Sequence, residues 1–206
     1  MAERARAYHH GDLRASLVEE AAAMISEGGA ASVTMRAIGS RLGVSRAAPY
    51  RHFPDKTALL VAVAVEGFRR LNQRLRGSGT GASGSSVERL RDMGEQYVRF
   101  ALENPAHYRL MYGREALARQ DHPELRAAAG ALLEHLIGVI RVHQQRGEIE
   151  REDPRAQAYV AWSAVHGLAS LLIEGQIDPN VDVDALLNRT TQTLLDGLRG
   201  AGTATG

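Results

Sequence analysis

The stretch from Thr34 to Lys56, TMRAIGSRLGVSRAAPYRHFPDK, gathers hydroxyl, guanidinium, phenol, imidazole and ammonium groups within a short span. Thr34, Arg36, Ser45, Arg46, Tyr50, His52 and Lys56 all carry hydrogen-bond donors, and such donors suit the oxygens of phosphate groups. Arg46 can also grip guanine O6 and N7 through two parallel bonds, while the methyl of Ala47 is able to touch the methyl of thymine. Catalytic patterns are missing. The sequence has no nucleophile elbow, P-loop, dinucleotide fingerprint or readable pair of catalytic carboxylates, and with no cysteine, thiol chemistry is excluded. His107 and His166 fall in no recognisable ligand spacing, so neither a metal nor a cofactor is expected. A second group, Tyr97, Phe100, Tyr108, Met111, Tyr112, Trp162 and His166, combines apolar rings with a few polar atoms. That is the composition of a small-molecule site, though residues at helical spacing serve equally well as core.

The elements that must position these residues are helices. Ala, Leu, Arg and Glu abound and sustained alternation is absent, so the chain is expected to be all-α. A first helix starts near Asp12, carries Leu13, Leu17, Ala21 and Met24 or Ile25 on one face, and stops at Gly28-Gly29. A short helix then runs from the cap Thr34 through a small buried position, Ala37, and through Ile38 to Leu42. Gly43 makes the turn, Val44 plugs inward, and Ser45 caps a third helix to about Phe53. This is the pattern of a helix-turn-helix, whose second helix can enter a major groove. Pro49 is the irregular member. It removes a backbone donor, crowds the Ser45 carbonyl and should push Ala48 away from the α region, distorting the third helix. Pro54-Asp55 breaks the chain before a helix from Lys56 to about Arg76. Later helices are expected at about 90–101, 105–112, 123–146, 154–174 and 182–198, with Pro105, Pro123 and Pro154 in first turns.

Near-neutral net charge, +1 overall, conceals an asymmetry. Residues 1–76 hold 12 basic and 7 acidic side chains, and residues 77–206 hold 13 and 17, giving +5 and −4. A polyanion partner is therefore expected for the first part alone. The run 77–86, GSGTGASGSS, separates the halves as a Gly/Ser linker. The domains expected are 1–76 for DNA binding, 87–200 for ligand binding and dimerisation, and a disordered tail at 201–206. No secretory leader is expected at the N-terminus, and apolar stretches such as Val160 to Ile173 read as buried helices too short or too punctuated to span a bilayer, so a cytoplasmic protein without membrane attachment is expected.

The residues AIGSRLGVSRAAPYRHFPDKTALLVAV resemble the TetR family of one-component transcriptional regulators, through the turn, the Tyr-x-His-Phe that closes the recognition helix and the lysine that follows. Tyr8-His9-His10-Gly11-Asp12-Leu13 is similar to first-helix entries common in that family, and Trp162-Ser163-Ala164-Val165-His166-Gly167 resembles the Trp…His-Gly element of one group of its C-terminal domains. The resemblance implies phosphate contacts by Tyr50, His52 and Lys56, backbone positioning by Thr34, and base readout by Ser45, Arg46, Ala47 and Pro49, with Arg36 as a further contact. It also implies a homodimer on a double-stranded, near-palindromic operator, released by a small-molecule effector held in the C-terminal domain. Apolar stripes on the last two helices, including Val165, Leu172, Leu187 and Leu194, are expected to form the dimer interface. Coupling between effector and DNA is expected to pass through the first helix, the Lys56 to Arg76 helix and the Pro105 to Tyr112 segment. An architectural DNA-binding protein without effector is the alternative, and a helical enzyme is a distant third.

Overall fold

The computed structural model describes residues 13–78, 86–113 and 117–199. The Tyr8 to Asp12 motif, most of the Gly/Ser run and the tail from Gly200 lie outside them. Among the described residues there are helices and no strands: α1 (Leu13–Ser32), α2 (Met35–Arg41), a 3-10 helix (Pro49–Arg51), α3 (Lys56–Gly77), α4 (Ser86–Glu103), α5 (Pro105–Tyr112), a 3-10 turn (Arg119–Asp121), α6 (Pro123–Gln145), α7 (Pro154–Ile173) and α8 (Val183–Arg199).

Two compact units make up the chain, the first of residues 1–66 with 106–118 and the second of residues 67–105 with 119–206. The division falls inside α3, which runs on to Gly77, and α5 belongs with the first unit although it lies beyond the Gly/Ser run. Local composition marks where a chain lacks side chains to pack; only packing decides which segments share a core.

In the first unit α1 buries Leu17, Val18, Ala21, Met24 and Ile25. Gly28 and Gly29 break its helical geometry, Gly29 at φ 71°, a conformation that favours glycine. Ser32 then ties the broken turn by donating to the carbonyls of Met24 and Gly29. Arg41 at the end of α2 reaches back to Glu20 and Glu27 of α1, which raises its pKa and lowers that of Glu27. These pairs are exposed, so they orient α2 more than they stabilise the fold.

In the second unit α4 packs on α7 and α8, and α6 on α7. One cluster joins Leu90, Ile137, Ile140, Ile149, Ala158, Leu195 and Leu198. Gly94 lets α4 approach closely: a Cβ there would lie 3.1 Å from Thr191 Cγ2 and 3.4 Å from Val165 Cγ1. The acidic run from Glu148 to Asp153 is exposed over Glu150 to Asp153 and is anchored by hydrogen bonds. Glu148 bonds the buried His143 at 2.5 Å, and Gln144 and Gln157 use their amides on each other and on the carbonyls of Glu150 and Glu152. Asp153 then caps α7 by accepting from the Arg155 amide.

At 20 residues and a mean hydropathy of 1.2, α7 is longer than its apolar stretch suggests and is sufficient in length and composition for a membrane span. Its packing on α4, α6 and α8 and the polar bonds of Gln157, Trp162 and His166 place one face of it inside the second unit.

Candidate nucleic-acid interface and effector site

Thr34 caps α2, its Oγ1 accepting from the Ala37 amide at 3.1 Å. The helix is short and ends at Leu42, after which Gly43, at φ 66°, makes the turn. From here the structure departs from the expected third helix. Residues 46–48 form a turn and Pro49–Arg51 a single 3-10 helix, so no α-helix runs from Ser45 to Phe53. Three bonds are of the tight i to i−3 kind, Ala48 N–H to Ser45 O at 3.0 Å, Arg51 to Ala48 at 3.2 Å and His52 to Pro49 at 3.1 Å, and Phe53 N–H closes the segment on Pro49 O at 3.0 Å. Pro49 accounts for this, because a residue without N–H cannot close an i to i−4 bond back to Ser45. Ala48 nevertheless stays in the α region, at φ −61° and ψ −45°, contrary to the usual effect of a following proline. The distortion appears as tightened winding and not as an extended residue.

Pro49 is also buried, which removes it from the set of base-contacting residues. Its ring faces Gly39 of α2, where a Cβ would meet Pro49 Cγ at 3.3 Å. The close crossing of the motif therefore falls at Gly39, which is buried, and not at Ala37, which is only half-buried. A proline ring and a missing Cβ are complementary, and the sequence shows both without showing that they meet.

The remaining residues of the set are exposed: Thr34, Arg36, Ser45, Arg46, Ala47 and His52, with Tyr50 at 55% exposure. Neither Tyr50 nor His52 is core. Phe53 beside them is buried with Arg14 of α1 stacked 5.1 Å from its ring centroid, and it anchors the exposed segment. Lys56 opens α3 half-buried, its Nζ donating to the Ala31 carbonyl at 3.4 Å, which holds the ammonium at the C-terminal end of α1. Asp55 caps α3 by accepting from the Ala58 amide at 2.8 Å. Arg51, exposed between Tyr50 and His52, adds a cation that the sequence pattern leaves unspecified.

Family models match both parts of the chain. Residues 17–63 match the bacterial regulatory proteins of the tetR family, and residues 90–194 match the tetracyclin repressor-like C-terminal domain. The chain belongs to the TetR family. A protein of unknown function from Rhodococcus sp. RHA1 is similar over 95% of this chain and all of its own, at 31% identity and a TM-score of 0.84. Two curated relatives are the uncharacterised HTH-type transcriptional regulators Rv0681 of Mycobacterium tuberculosis and YobS of Bacillus subtilis. They are 27% and 22% identical, covering 90% and 88% of this chain and 81% and 90% of theirs. This TetR-family chain is thus a transcriptional regulator with a DNA-binding helix-turn-helix, and not an enzyme.

The aromatic set splits. Tyr97 of α4 and Trp162 and His166 of α7 meet directly: the Trp162 indole N–H donates to the Tyr97 hydroxyl at 3.0 Å, and that hydroxyl lies 3.2 Å from His166 Nδ1. Trp162 and His166 also pack one helical turn apart, their rings tilted by 47° with centroids 5.5 Å apart. Phe100 is buried on α4, within a turn of Tyr97. Burial, helped by the charge of Arg119, holds His166 below the ordinary histidine pKa. Tyr108, Met111 and Tyr112 lie on α5 in the first unit, the two tyrosines packed together at 5.1 Å. Spacing along single helices could find Trp162 with His166; joining them to Tyr97, 65 residues away from Trp162, needed the fold.

The four residues expected at a dimer interface separate as well. Val165 and Leu187 are buried inside the second unit, at 6% and 2% exposure, with Val165 facing Gly94. They hold the chain's own helices together. Leu172 and Leu194 are half-buried, and the exposed apolar residues of α7 are Tyr159, Val160 and Leu171. Gly167 on α7 and Gly197 on α8 face open space, where a Cβ would meet nothing within 4 Å.

Proposed function

We propose that this chain is a ligand-responsive repressor that binds a near-palindromic operator in the cytoplasm as a homodimer. The observation that carries the reading is the shared exposure of Arg46, Ala47, Tyr50, Arg51 and His52 on one turn-and-3-10 segment, anchored by buried Pro49 and Phe53. Tyr50, His52 and Lys56, with Thr34 and Arg36, are assigned to phosphates and positioning. Arg46, Ala47 and Ser45 are assigned to base edges, which the tight turn presents without a full recognition helix.

Dimerisation is assigned to the face of α7 and α8 that bears Val160, Leu171, Leu172 and Leu194, where the open glycines allow two helices to approach closely. Tyr97, Phe100, Trp162 and His166 are assigned to the effector site, and Tyr108, Met111 and Tyr112 are left out of it. α5 shares a unit with α1, α2 and the first part of α3, so its three residues lie in the DNA-binding unit.

Selection of duplexes from a random pool by the purified protein tests the proposal. A two-fold consensus with half-sites about 34–36 Å apart or a near multiple is expected. Binding without any consensus would replace this reading with that of an architectural DNA-binding protein.

A further inference from the structure

A groove of about 310 Å³ lies in the second unit, between the α6–α7 loop, the start of α7 and the end of α8. Ala156, Val160, Leu194 and Leu198 give it an apolar floor, and the exposed Glu150 and Glu152 stand at its edge. The loop that carries these carboxylates is pinned. The Glu150 amide donates to the Leu198 carbonyl at 2.9 Å, and Gln144 and Gln157 donate to the carbonyls of Glu152 and Glu150. Nearby cations bond elsewhere, Arg151 to the Gln144 carbonyl, Arg155 to Glu134 and Arg199 to Asp196. Among the described residues no ion pair engages Glu150 or Glu152. Arg189 is exposed and likewise outside any ion pair among them. It shares one stripe of α8 with Thr193 and Gly197, which line the groove, and a Cβ on Gly197 would meet nothing within 4 Å. One stripe thus carries a cation at one end and, about 12 Å along the helix, a pair of carboxylates over an apolar seat. Two copies meeting about a two-fold axis across this face run their α8 helices antiparallel. With the axis at Thr193, each Arg189 falls opposite Gly197 of the other copy. At Arg189 it would bring the two guanidinium groups together, and at Gly197 the two sets of carboxylates, so like-charge repulsion disfavours both.

We propose that the occupant of this groove is Arg189 of a second copy of the chain, its guanidinium held by the carboxylates of Glu150 and Glu152 and its stem lying along Val160 and Leu194. The pairing occurs twice per dimer and fixes the register of the two α8 helices. It therefore favours a second copy of this chain over a relative that lacks either half of the pattern. The inference rests on the dimer face proposed above and adds to it the residues that choose the partner.

Sedimentation of the full-length protein across a dilution series tests the pairing. R189E should raise the dimer Kd at least about tenfold, since an attraction becomes a repulsion at both ends of the interface, and E150R/E152R should do the same. An equimolar mixture of those two variants should dimerise better than either alone, because each end again joins opposite charges. The triple variant R189E/E150R/E152R should return to within about threefold of the unaltered protein, as coupled residues require. R141E makes the same change of charge at an exposed position of α6 and should leave the Kd as it is. An unaltered Kd in R189E, or a triple variant no better than E150R/E152R, would overturn the pairing, and the dimer face would still stand if V160D weakens association. An unaltered Kd in both R189E and V160D would overturn the face as well.

Discussion

Leu187→Ala and Val160→Asp should separate the two sides of the C-terminal helices, one serving the protomer and the other its partner. Leu187 is 2% exposed, so removing its side chain leaves a cavity and should cost about 2–5 kcal/mol of unfolding free energy, whatever the protein concentration. Val160 is 59% exposed, so the same deletion would hardly be felt in an isolated protomer. If α7 meets its symmetry mate there, covering the exposed part of a valine is worth roughly 1–2 kcal/mol per copy, since full burial is worth about 1.5–3. The contact occurs twice about a two-fold axis, giving roughly 2–4 kcal/mol, or about 30- to 1,000-fold in the dimer Kd. An aspartate in place of the valine adds the cost of desolvating a charge. Sedimentation across a dilution series gives the Kd, and urea unfolding at fixed concentration gives the stability. Val160→Asp should move the first and Leu187→Ala chiefly the second. An unchanged dimer Kd in Val160→Asp would refute the assigned face and shift the interface to another helix pair.

Lys56→Ala should weaken binding to every duplex by a similar factor and reduce the slope of log affinity against log salt by about one, as loss of a single phosphate contact requires; an unchanged slope would place Lys56 in structure, through its bond to Ala31. Arg46→Ala should relax preference at one base position and cost about 1–3 kcal/mol on the preferred site, checked by competition between single-base operator variants. A uniform loss across all variants would make Arg46 a phosphate contact. Burial depresses the pKa of both His135 and His166, so the unfolded chain takes up protons that the folded one resists, and stability should be full above the ordinary histidine value of about 6.5 and fall as pH drops below it. Urea midpoints near neutrality and near pH 5 should differ less in a variant with glutamine at both positions; an equal difference would assign the acid sensitivity to other groups.

The helical class, the Gly28-Gly29 break in α1, the cap at Thr34, the turn at Gly43 and the restart at Asp55-Lys56 were all legible in the sequence, because each depends on backbone sterics or a hydrogen bond within a few residues. The donors of Thr34 to Lys56 were legible as one local segment for the same reason, and their exposure is what the fold adds to the proposed contacts. Pro49 marks the limit. Its effect on helix winding is local and could be anticipated, whereas its burial against Gly39 depends on where α2 lies and not on proline chemistry. Val165, Leu172, Leu187 and Leu194 fall at apolar positions of two helices, and periodicity says that such positions are covered without saying by what. Only the close approach of α4 at Gly94 assigns Val165 to the protomer's own core. In the same way, spacing pairs Trp162 with His166, but a hydrogen-bonded chain through Tyr97 exists only because α4 and α7 pack side by side. What the sequence by itself determined was set within a turn or two of the chain; tertiary structure decided which face of each helix met which neighbour, since hydrophobic burial is non-directional and many pairings satisfy one pattern.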